Sequence, residues 1–107
     1  MNPGETRIEE LLGKALAPYS EQPDAEGVAR LTGDLVASGQ ALHAQVSAIP
    51  HGQRTERGHA ALAEWSYFTD AGPTGHSDHA AWNHARALAR ILRNLATAVE
   101  QQTSRVQ

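Results

Sequence analysis

From Asp78 to Gln102 the chain reads DHAAWNHARALARILRNLATAVEQQ, with Ala81, Ala85, Leu88, Leu92, Leu95 and Val99 recurring at alternating intervals of four and three. On an α-helix this spacing draws one continuous apolar stripe, and a stripe of that length needs partner helices to cover it. Asp78, with Ser77 before it, supplies an N-cap signal, and neither Gly nor Pro interrupts the run. Ala and Arg, both strong helix formers, fill most of the other positions. The spacing predicts a helix over Asp78 to Gln101.

Three shorter patterns precede it. Glu5 to Ala17 places Ile8, Leu11, Leu12, Ala15 and Leu16 on one face, with Glu5, Glu9 and Glu10 at the positive end of the helix dipole, and Pro18 stops it. Asp24 caps a second predicted helix that runs to Ala48 on a stripe of Val28, Leu31, Leu35, Leu42 and Ile49, weakened at Ser38 and Gln45. Gly33 and Gly39 lie inside it; each costs about 1 kcal/mol relative to Ala unless a neighbouring helix uses the gap. A third helix is predicted from Arg54 to Thr69, with Ala61, Leu62, Trp65 and Phe68 inward, and Asp70 to Gly75 is a loop. Period-two alternation is absent. The expected fold is all-α: an up-and-down bundle of four helices, the first short, the second and fourth long. The 107 residues form one domain, with 1–4 and 103–107 expected to fray.

A formal charge of −3 gives no global drive toward nucleic acid or an anionic membrane. With no cysteine there is no disulfide, thiolate ligand or cysteine nucleophile. The N-terminus lacks the apolar core of a signal peptide and no apolar run reaches membrane-spanning length, so a cytoplasmic location is expected. No Gly-rich phosphate loop, GxSxG elbow or nucleotide fingerprint occurs, and no cofactor is implied.

The polar candidates come from hairpin geometry. Folding the third helix back on the fourth puts Glu64 level with His84, each beside its apolar stripe. A carboxylate sheltered against an imidazole makes an acid–base pair or, more plainly, an interhelical hydrogen bond that sets register. His76, Asp78 and His79 crowd the start of the fourth helix and are weak metal candidates. His43 and His59 come level across the earlier hairpin as rim packing. Arg86, Arg90 and Arg93 form a basic stripe that suits a solvated face or an acidic partner. Trp65 and Trp82 suit core or rim; if exposed, either would anchor an interface.

Leu31-Thr-Gly33 leading into Leu35 and Leu42, then Ala61-Leu-Ala-Glu64, then His84-Ala-Arg86-Ala-Leu88-Ala-Arg90 stand in a distinctive order between Leu31 and Glu100. In that order and spacing the sequence resembles the actinobacterial domain-of-unknown-function 6415 family, whose members are labelled natural product biosynthesis proteins. The family often has a histidine after the glycine of the second helix, where this chain has Asp34, and a histidine-bearing end to the last helix, where it has Thr97 to Gln101. The resemblance implies a cytoplasmic helical protein and supplies no reaction. The function expected is a non-enzymatic interaction or accessory protein of a biosynthetic or regulatory system, a homodimer or the holder of a protein partner, with no nucleic acid and no membrane. The alternative is a small-molecule binder or small enzyme with a pocket between the third and fourth helices, using Glu64 and His84. Glu64, Trp65, Trp82, His84, Arg86 and Arg90 are the candidate contacts to ligand or partner.

Overall fold

The computed structural model describes residues 3–106, with side chains described from 6 to 104. Four helices account for most of the chain: α1 (Pro3–Ala15), α2 (Ala25–Ser47), α3 (Glu56–Ala71) and α4 (Asp78–Val106). Short 3₁₀ turns at Tyr19–Glu21 and His51–Gln53 sit in the first two connections. Among the described residues there is no strand, and the bundle has the short first helix and long second and fourth helices that the patterns predict. No described helix is long and apolar enough to cross a membrane. At 1.5 Å per residue α4 spans about 43 Å, which matches the longest dimension of the molecule, 43 × 30 × 19 Å.

Local chemistry sets the helix ends. The Asp24 carboxylate accepts from the Gly27 N–H at 2.8 Å and opens α2. The Thr55 hydroxyl accepts from Gly58 N–H at 3.0 Å and opens α3, two residues later than the predicted start. Arg54 is extended instead, and its guanidinium closes α2 by donating to the carbonyls of Ser47 and Ile49, each at 2.9 Å. The first helix ends at Ala15 rather than Ala17, because Pro18 disfavours helical backbone in the residue before it. The third runs on to Ala71 and stops where Gly72 turns to φ 69°. Ser77 rather than Asp78 caps α4, its hydroxyl accepting from Ala80 N–H at 3.0 Å, and Asp78 is the first residue of the helix. That helix continues past Gln102 to Val106, so the backbone of 103–106 is helical, as is that of Pro3 and Gly4. Of the ends expected to fray, Met1, Asn2 and Gln107 lie outside the described residues; so does the side chain of Glu5, expected in the acidic start of α1.

The core is organised around α4, which packs against all three other helices and most extensively against α2. Among the described residues α1 and α3 do not meet, so the cross-section is a rhombus with α2 and α4 on its short diagonal. Contact on three sides buries more of α4 than the predicted stripe: Trp82, Ala89, Ile91 and Ala98 join Ala85, Leu88, Leu92 and Leu95. On α2 the buried line runs Val28, Leu31, Leu35, Gly39, Leu42 and Val46, with Ile49 buried just beyond the helix end, so Gly39 and Val46 take the places where Ser38 and Gln45 looked weak. The Trp65 indole fills the gap at Gly39: a methyl group added there would overlap its six-membered ring. Gly33 has open space around it.

Candidate functional site

The site is built where the first connection crosses the start of α4. Arg86 points back to the end of α1 and donates from Nη1 to the carbonyls of Ala15, at 3.1 Å, and Ala17. A helix C-terminus carries unsatisfied carbonyls and partial negative charge, and a guanidinium answers both. The guanidinium also lies 4.4 Å from the centre of the Tyr19 ring and 5.5 Å from that of Trp82, distances of cation–π attraction. The Tyr19 hydroxyl donates to Asn83 Oδ1 at 2.8 Å, and its ring sits 5.7 Å from that of His79. Tyr19 thus fixes the orientation of the Asn83 carboxamide while Arg86 holds the chain that carries Tyr19. Beneath this latch Trp82 Nε1 and Arg86 Nε are buried without a hydrogen-bond partner among the described residues.

Asn83 forms part of the wall of a surface groove of about 400 Å³ between α4 and the end of α3. Phe68, Ala80 and Ala87 give it an apolar lining, with Gly72 and Thr74 at the loop side. Its polar side chains are Thr74, Ser77, His79, Asn83 and His84. These residues share a wall because positions 80, 84 and 87 stack on one helix face, with 79 and 83 beside them. His84 is half-buried, and desolvation pushes its imidazole below the ordinary value, which favours the neutral ring with its one donor and one acceptor.

The other predicted contacts fall elsewhere. Glu64 is exposed, does not line the groove, and makes no hydrogen bond or ion pair with His84; being level across a hairpin did not suffice, because Glu64 lies beyond the edge of the α3 face that buries Ala61 and Trp65. Trp65 and Trp82 are core residues, 3% and 0% exposed, and not surface anchors. Arg90 and Arg93 stand on the exposed face as the stripe predicted, but Arg86 has left it to close α1. His76, Asp78 and His79 are exposed, and among the described residues no three His, Asp or Glu side chains are grouped to hold a metal. The His59 ring lies 4.6 Å from that of His51, tilted by 51°, while His43 meets the hydroxyl of Ser47 at 3.4 Å. Tyr19 and Asn83 are the site residues that sequence reasoning missed. The one available signal was the spacing of four from His79 to Asn83 on the same face of α4; the tyrosine that joins them comes from 64 positions away.

Fold and site together define a small all-α bundle with a recessed groove at the α3–α4 turn. The chain belongs to a family described as a family of unknown function (DUF6415), whose model matches residues 6–104. No curated protein and no solved structure matches it.

Proposed function

We propose that this protein is a non-enzymatic helical accessory module of an actinobacterial biosynthetic or regulatory system, acting in the cytoplasm by association with a second copy or a protein partner. The supporting observation is how its cross-bundle polar side chains are employed. Arg86 closes α1, Arg54 closes α2, and Arg7 pairs with Asp34 at 2.9 Å between α1 and α2. These groups fasten helices, and the fastened bundle meets its surroundings through shallow grooves. Self-association cannot use the α4 stripe, which the other helices cover. The surface suited to it is a groove of about 230 Å³ between α1 and α4, where half-buried Ile8, Leu12 and Ala96 lie beside Thr97, Arg93 and Glu100. A twofold axis at Ala96 and Thr97, with the two α4 helices antiparallel, sets Arg93 of each copy opposite Glu100 of the other. Light scattering at micromolar concentration is expected to give more than 11.5 kDa, and Leu12→Glu is expected to restore that mass. A clean monomer that retains no partner on pulldown overturns the proposal.

A second reading is a small-molecule binder, favoured by the α3–α4 groove, whose volume falls in the range of ligand pockets. Here His84 acts with Asn83 and His79 rather than with Glu64. His84→Ala is expected to abolish binding or pathway output, and Glu64→Ala to leave both intact. If His84→Ala lowers only the melting temperature, the imidazole is structural and this reading fails.

A further inference from the structure

In a chain with 21 charged residues, no Lys, Arg, Asp or Glu lines the α3–α4 groove. A second groove of similar volume, about 440 Å³ between α1 and α2, is lined by Lys14, Glu21, Arg30 and Asp34. Size therefore does not dictate the absence of these side chains from the first. An ion entering a groove that no Lys, Arg, Asp or Glu lines gives up hydration and gains no countercharge from such a residue in return. The positive end of the α4 dipole does not alter this, because the Asp78 carboxylate already stands in its first turn.

The hydrogen-bonding sense of the groove is also set. The Tyr19 hydroxyl takes Asn83 Oδ1, which leaves the Asn83 amide N–H groups to donate. Phe68 offers a ring for stacking, and the methyl groups of Ala80 and Ala87 extend the apolar lining.

We propose that the α3–α4 groove takes an uncharged small molecule with a flat apolar ring and a carbonyl or amide oxygen that accepts from Asn83. The proposal rests on the small-molecule reading of this groove and gives it a ligand class. The test is amide proton–nitrogen correlation NMR on the full chain, titrated with three probes that share one ring and differ in charge: indoleacetamide, indoleacetate and tryptamine. Indoleacetamide is expected to shift the amides of Ala80, Asn83, His84 and Ala87 saturably, about tenfold more tightly than either ion. Asn83→Asp replaces the donor by a carboxylate at equal size on an exposed helix face, and is expected to abolish the indoleacetamide response while leaving the rest of the spectrum in place. If indoleacetate or tryptamine binds there at least as tightly, the uncharged class is overturned and small-molecule binding stands. If none of the three moves these amides, both fall.

Discussion

Gly39 and Gly33 lie six positions apart on one helix, and their substitution should have opposite effects. At Gly39 the Trp65 ring occupies the space of a missing side chain, whereas Gly33 faces open space. Gly39→Ala is expected to destabilise by about 2 kcal/mol through overpacking. Gly33→Ala is expected to stabilise by roughly 0.5–1 kcal/mol, by relieving the unfolded-state entropy of glycine. Urea denaturation of the two variants checks both signs. Sequence alone gave the two glycines the same meaning, because helix propensity is local and the tryptophan arrives from another helix. His84 carries a prediction of its own. Burial lowers its folded-state pKa below the unfolded value of about 6.5, so the unfolded chain binds the proton first and stability falls as pH drops through that window. Above it both states are neutral and the group has no effect. His84→Gln is therefore expected to show a smaller loss of melting temperature between pH 7.5 and 5.5 than the parent, read from paired thermal melts. An equal loss in both would show that the imbalance lies in other groups.

The four helices were legible because each carries a periodic apolar face, and cap signals at Asp24 and at Asp78 with Ser77 before it marked the starts of α2 and α4, whereas the Thr55 cap of α3 was not read. Asp24→Ala is expected to cost about 1 kcal/mol, as for other helix caps. The ends were less legible because they are set by side chains from outside the helix. Arg54 reads as a good first residue for α3 until its role in closing α2 is seen. Arg86 reads as one more member of a basic stripe until its carbonyl partners on the α1 end are seen. Arg86→Ala is expected to destabilise by about 2 kcal/mol, the range of hydrogen bonds from a charged donor. Arg86→Lys should recover little of this, since an ammonium lacks the planar fork that stacks on Tyr19 while bonding to backbone. Hydrogen exchange should show the α1 amides losing protection first in both variants. Uniform loss across the bundle would mean that Arg86 supports the core and not this junction.

Across the whole molecule, α4 is covered on three sides, and this arrangement changes the meaning of its apolar stripe. The stripe was visible in the sequence; which helices cover it was not, since among the described residues α1 and α3 flank α4 without meeting each other. The same arrangement separates Glu64 from His84 and brings Tyr19 to Asn83, neither of which spacing along one helix can encode. It leaves the α1–α4 groove, with Ile8 and Leu12 half-covered, as the surface we propose for contact between two copies. Interfaces between identical chains are commonly twofold, and a twofold contact here pairs Arg93 with Glu100 twice over. Light scattering on the purified chain over a dilution series tests association most directly. The mass is expected to exceed 11.5 kDa at the highest micromolar concentrations and to fall toward it on dilution. A mass of 11.5 kDa at every concentration, with no partner retained from the native host, would contradict it.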